Sequence, residues 1–215
     1  MKRLTLSFDN GPFPDVTPGV LDVLAERGLP ATFFVCGREA SQASRRRILE
    51  RARADGHRIG NHTLSHNIEL GATDDRDAPR REIEESQQIL GELAGSERLF
   101  RPYGAGGVLS PRLLSQQAAN LLCDGGYSCV LWNSVPRDWE DPADWPTTAL
   151  AHLHEQDWTL IVLHDVPTGA MAALPGFLDR VAEQEIEVVA EFPPECVPIL
   201  EGRVVGPIDH LIAAD

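Results

Sequence analysis

Leu4-Thr5-Leu6-Ser7-Phe8 followed by Asp9-Asn10-Gly11-Pro12 is a β-rich run that stops abruptly in two polar side chains and a Gly-Pro turn. An apolar strand that delivers acids to its C-terminal end is how parallel α/β sheets present chemistry. The pattern recurs downstream. Ala31–Cys36, His57–Gly60, Arg98–Phe100, Ser128–Trp132, Thr159–Leu163 and Glu185–Ala190 read as strands. Between them lie helical segments: Gly19–Arg27, Ala40–Ala54, Glu82–Leu93, Pro111–Leu122, Thr147–His154 and Leu178–Glu183. Strands alternating with helices imply parallel strands joined by right-handed crossovers. The expected fold is therefore α/β, a single-domain distorted parallel (β/α) barrel of seven or eight strands over residues 1–191, with an open doubly wound sheet as the alternative. Residues 192–215, broken by Pro and Gly, are expected to form a C-terminal tail packed on the barrel.

Length and composition set bounds on function. The 215 residues suit one domain, and 42% hydrophobic with 24% charged residues is ordinary globular composition. The 19 basic and 33 acidic residues leave a net charge of −14, which repels phosphate backbones and anionic lipid surfaces. Neither nucleic acid nor a membrane is expected as a partner, and no pattern sets an oligomeric state. Arg45-Arg46-Arg47 reads as a solvated helix face. Met1-Lys2-Arg3 runs straight into the first strand without the apolar stretch of a signal peptide, so a cytoplasmic location is expected. Cys36, Cys123, Cys129 and Cys196 form no CxxC pair and read as buried thiols. Gly104-Ala105-Gly106-Gly107 lacks the Lys-Ser/Thr of a phosphate loop.

Five strand ends carry His, Asp or Arg: Asp9-Asn10, His62 to His66, Arg101 to Gly104, Arg137-Asp138-Trp139, and His164-Asp165. His62 and His66, four apart, face one way if they sit on a helical turn and can share a cation. With the Asn10 amide oxygen they form a three-donor set that leaves a position for water, as catalytic zinc-type sites do. Asp9 is then the base, His164 the acid that protonates a leaving amine, and Arg101 the cation that keeps Asp9 ionised. Trp132, Trp139, Trp145 and Trp158 are core residues by default, with Trp139 favoured at the rim. His57, His152, His154 and His210 are expected to be structural or exposed.

These segments resemble the polysaccharide deacetylase (NodB-homology) family of carbohydrate esterases. Ser7 to Pro12 resembles its T-F-D-D-G, His62-Thr63-Leu64-Ser65-His66 its H-T-x-S-H, and Arg101 to Gly104 its R-x-P-Y-G. Asp138-Trp139 resembles the end of D-x-x-D-W, and Ile161 to Asp165 resembles L-x-L-H-D. The resemblance spans residues 4–165. It implies a metal-dependent hydrolase that removes N-acetyl groups from amino sugars or oligosaccharides. Asp9 and His164 would be catalytic with Arg101, and Asn10, His62 and His66 would bind a divalent metal, zinc or else cobalt or nickel. Substrate would meet Pro102, Tyr103, Trp139 and Leu163. A cyclic imide or ureide amidohydrolase and a non-catalytic sugar-binding relative are the alternatives. Two positions depart from the family pattern. Asn10 stands where most members have a second Asp, lowering the expected metal affinity. Val135 stands at the first Asp of D-x-x-D-W; if that Asp orients the catalytic histidine, His164 loses its anion unless Asp138 or Asp165 supplies one.

Overall fold

Strand β1, Arg3–Asn10, runs through the centre of the molecule and organises everything around it. The structure is a computed structural model that describes residues 1–214; Asp215, the last residue of the expected tail, lies outside them. In chain order β1 is followed by α1 (Thr17–Arg27), β2 (Thr32–Val35), α2 (Gly37–Ala40), α3 (Ala43–Ala54) and β3 (Arg58–Asn61). A π-helical turn at Arg80–Glu85 leads into α4 (Ser86–Leu90), then β4 (Leu99–Phe100), α5 (Gln116–Asp124) and β5 (Ser128–Cys129). The chain continues through α6 (Trp145–Glu155), β6 (Trp158–His164), α7 (Leu174–Glu183), β7 (Glu187–Val189), β8 (Ile199–Leu200) and β9 (Arg203–Val204).

The strand order is β6-β1-β2-β3-β4-β5, all parallel, continued by antiparallel β8 and β9, while β7 pairs with the first half of β1. After β5 the chain returns to the other edge: Ser134 bridges in parallel to Ile161, and Val162 donates its N–H to the Ser134 carbonyl at 2.9 Å. This contact closes the ring, so the molecule is the distorted barrel expected from the strand–helix rhythm and not an open sheet.

Several boundaries differ from the sequence reading. The expected strand Ser128–Trp132 is cut to two residues because the Leu131 N–H turns to the Cys196 carbonyl of the tail at 2.7 Å. The expected helix from Pro111 begins only at Gln116, where the Ser115 hydroxyl accepts the Ala118 N–H at 3.1 Å and caps it. Helices α6 and α7 begin earlier than expected, each with a proline in its first turn, a position where the missing N–H costs nothing.

Period-2 alternation divides β1 between two environments. Leu4, Leu6 and Phe8 are fully buried among helix residues such as Leu21, Leu24, Trp145 and Phe177. Ser7 and Asp9 point the other way, into the barrel. The interior is filled by Phe34, Leu99, Val130 and Leu160 together with Cys196 and Val197 of the tail, and Phe192 packs beside them. Apolar packing thus occupies the interior and leaves the C-terminal rim of the strands to polar groups. Among the described residues, no helix is long and apolar enough to cross a membrane.

Candidate active site

The β1–β6 ladder pairs Asp9 directly with His164, the last residue of β6. Both side chains open on a cavity of about 270 Å³ at this rim, also lined by Asn10, His62, His66, Pro102, Tyr103, Trp132, Val135, Trp139, Val162 and Val166. Nine of the ten residues expected at the site therefore converge on or directly behind one pocket.

Arg101 stands behind it. Its guanidinium is wholly buried, donates to Asp9 Oδ1 at 2.7 Å and to Ser7 Oγ at 2.8 Å, and reaches the Val130 and Leu131 carbonyls. It also lies 3.9 Å over the Phe34 ring. Burial alone pushes the Asp9 carboxyl up, but the charges of Arg101, His62 and His164 outweigh it and hold the group below its ordinary range. Asp9 is therefore an ionised, oriented carboxylate whose second oxygen faces His62 Nε2 at 3.5 Å.

The two histidines of the His62–His66 motif do meet, with ring centroids 4.8 Å apart, but not on a helical turn. The segment is an irregular loop in which Thr63 and His66 take positive φ of 64° and 56°. Strand β3 ends at Asn61, and the loop must double back to bring His66 over the pocket. His62 Nδ1 lies 2.9 Å from the Arg101 carbonyl, an acceptor only, which assigns the proton to Nδ1 and leaves Nε2 as a free donor atom. His66 sits between His62 and Tyr103, 4.3 Å from the latter's ring. Burial lowers the pKa of both imidazoles, to about 3 for His66.

Asn10, at φ 81°, buries its amide oxygen with no hydrogen-bond partner among the described residues. An unpaired buried acceptor is costly and calls for a ligand. Among the described residues no group of three or more His, Cys, Asp or Glu is arranged to hold a metal. The donor set here is of another kind, two neutral imidazoles and one orphaned amide oxygen lining one cavity, and its chemistry fits a divalent cation.

His164 keeps an anionic partner despite Val135. Asp138, fully buried, accepts from His164 Nδ1 at 2.8 Å and from the His164 backbone N–H at 2.9 Å. Burial lowers the imidazole pKa, but the hydrogen bond and charge of Asp138, with Asp9 and Asp165, reverse this and leave it above the ordinary value. Val135 forms cavity wall, and of the two acids named as replacements for the missing carboxylate, Asp138 is the one that supplies the anion. Asp165 is engaged elsewhere, accepting from the Gly11 N–H at 3.0 Å and from the Thr17 hydroxyl, and burial pushes its carboxyl up to about 6. A side chain on Gly11 would collide with that carboxylate.

One expected site residue is misplaced. Leu163 does not line the cavity; it is fully buried in the outer core against the helices. Since His164 faces inward, alternation sends Leu163 outward and Val162 inward, and Val162 is the residue found in the wall. Trp139 lines the cavity, its ring perpendicular to that of His164 at 4.8 Å. Sequence reasoning missed Trp132 and Val166 as wall residues, and it missed Glu82, a buried acid that grips the His62–His66 loop from behind.

Known proteins share this arrangement of chain. A family model described as polysaccharide deacetylase matches residues 1–121. A chitooligosaccharide deacetylase from Sinorhizobium fredii is 37% identical over 164 residues, covering 74% of this chain and 70% of the relative. A peptidoglycan-N-acetylglucosamine deacetylase from Bacillus cereus is 28% identical over 166 residues, covering 76% and 71%. The solved structure of a polysaccharide deacetylase from Bacillus cereus superposes with a TM-score of 0.74 at 25% identity, over 90% of this chain and 96% of that one. With a family model over more than half its length and a 37%-identical relative matched over two thirds of its own, this chain belongs to the polysaccharide deacetylase family.

Proposed function

We propose that this protein is a divalent-metal-dependent hydrolase that removes N-acetyl groups from amino sugars or their oligosaccharides. The observation that carries the reading is the pairing of an ionised Asp9 with a proton-holding His164 across one cavity that also contains Asn10, His62 and His66. Two groups whose surroundings push their pKa values apart are an acid and a base ready for opposite proton transfers. Relatives named as chitooligosaccharide and peptidoglycan-N-acetylglucosamine deacetylases support the substrate class.

A cation held by Asn10 Oδ1, His62 Nε2 and the His66 imidazole would supply Lewis acidity, polarising the acyl carbonyl and making water more acidic; zinc, cobalt and nickel suit these donors. The protein's own groups do the rest. Asp9, fixed by Arg101, takes the proton from the attacking water. His164 has Nδ1 committed to Asp138, so Nε2 is the nitrogen left to give a proton to the departing amine. Tyr103 lines the cavity, and the family resemblance gives its backbone the role of binding a developing oxyanion. Trp132, Val135, Trp139, Val162 and Val166 form an apolar wall that accepts a methyl group and keeps bulk water away. The four free cysteines fit a reducing compartment, and we take the cytoplasm as the setting.

The test is incubation of purified, zinc-supplemented protein with N-acetylglucosamine oligomers, with released acetate quantified, beside a cyclic imide. Acetate release with no ring opening is expected. Ring opening alone, or no acetate with zinc, cobalt or nickel, overturns the reading.

A further inference from the structure

The loop that carries His66 is held in place from outside the cavity. Glu82, in the π-helical turn Arg80–Glu85, is 2% exposed. Its Oε2 accepts the backbone N–H groups of Leu64 at 3.0 Å and Ser65 at 2.8 Å, and its Oε1 accepts the Ser65 hydroxyl at 2.9 Å. The neighbouring cation Arg81 turns away to Asp75 at 2.8 Å. One turn further along, the Ser86 hydroxyl donates to the Thr63 carbonyl at 3.0 Å. Residues 63, 64 and 65 are thus each tied to one helical segment.

Thr63 and His66 flank these contacts and both have positive φ, which residues with a Cβ hold only where the surroundings impose it. A π-helical turn carries an extra residue, rotates the side chains that follow, and is frequent at functional sites. Here it turns a carboxylate toward backbone N–H groups that no strand or helix partner satisfies among the described residues. His62 has its own anchor at the Arg101 carbonyl. His66 is tied on the loop side through its backbone N–H, which donates to Thr63 Oγ1 at 3.1 Å, inside the clamped segment.

We propose that Glu82 is a positioning residue: its carboxylate clamps Leu64 and Ser65 and so sets His66 as the third donor of the cation site. The inference rests on the reading of Asn10, His62 and His66 as metal ligands. Without the clamp the segment keeps the Gly37 and Arg38 N–H groups on the Thr63 and Leu64 carbonyls, at 2.9 and 3.0 Å. The Leu64 and Ser65 N–H groups, however, lose their acceptor, and His66 loses its fixed place while His62 stays.

The test is calorimetric titration of Zn²⁺ alone into metal-stripped wild type, Glu82→Gln, Ser65→Ala and His66→Ala, with the apoprotein Tm of each measured separately. Gln places an amide group against N–H donors; Ser65→Ala removes one hydrogen bond and leaves the buried carboxylate otherwise paired. Glu82→Gln should bind Zn²⁺ about 10- to 100-fold more weakly, the range for residues that orient metal ligands. Ser65→Ala should bind roughly fivefold more weakly, with an apoprotein Tm close to wild type. Wild-type affinity in both variants, whatever their Tm, overturns the clamp and leaves the metal site standing. If Glu82→Gln does not fold, wild-type affinity in Ser65→Ala alone overturns it. If His66→Ala binds Zn²⁺ as wild type does, the ligand assignment itself falls and the role of Glu82 with it.

Discussion

Asp138 holds His164 at two points, with Oδ1 at 2.8 Å from Nδ1 and Oδ2 at 2.9 Å from the backbone N–H. Two contacts fix both the ring's rotation and its tautomer, and they place Nε2 toward the cavity. The charge also keeps the imidazole protonated to higher pH than its burial alone would allow. Asp138→Asn should therefore lower kcat by about 10²- to 10⁴-fold and move the alkaline limb of the kcat/KM profile to lower pH. An unmoved alkaline limb would show that His164 is not the acid.

Arg101 and Asp9 form a buried ion pair at 2.7 Å. Arg101→Met removes the cation and leaves the carboxylate stranded, at a cost of about 3–5 kcal/mol, and abandons two backbone carbonyls as well. Asp9 loses the strongest of the charges that lower its pKa, so the acid limb of kcat/KM should move to higher pH. Urea denaturation checks the first effect; a loss below about 1 kcal/mol would mean the pair is no more than a surface contact.

Asn10 offers an oxygen without a charge. Asn10→Asp keeps the shape and tolerates the positive φ equally well, and should raise divalent-cation affinity roughly tenfold or more by adding a formal charge beside the ion. Without metal the new carboxylate shares the cavity with Asp9, so the apoprotein Tm should drop. Competition titration against a chromophoric chelator decides, and equal affinity for the two proteins would remove Asn10 from the ligand set.

His57 is nearly fully buried, with neither ring nitrogen partnered among the described residues, and packs edge-on against Phe33. Burial depresses its pKa, so the folded state holds it neutral while the unfolded chain takes up a proton below pH about 6.5. The wild type therefore loses stability from this residue as pH falls through that value. His57→Phe should gain about 1 kcal/mol at pH 8 and more at pH 5. Equal gains at both pH values would contradict the assigned burial cost.

The fold is readable from the chain because alternation and helix periodicity report directly on which side chains are buried. Asp9, Arg101 and His164 are legible because the chain leaves the core of a parallel barrel at the C-terminal ends of its strands, where polar side chains gather. The misses have local causes. The i,i+4 spacing of His62 and His66 suggests a helical turn, whereas the loop geometry is imposed by Glu82, 16 residues beyond His66, through contacts that spacing does not encode. Leu163 follows from a motif, whereas the strand's own period, counted back from His164, selects Val162. Val135 casts doubt on His164 only because a linear motif does not say which of its acids reaches the ring. The orphaned Asn10 oxygen is visible only once burial is known.

The most direct test of the whole arrangement is acetate release from N-acetylglucosamine oligomers as zinc is titrated into chelator-stripped protein. Activity should be absent at the start, rise linearly, saturate at one equivalent, and stay absent throughout in Asp9→Asn. Turnover by the stripped protein, or by Asp9→Asn at full zinc occupancy, would contradict it.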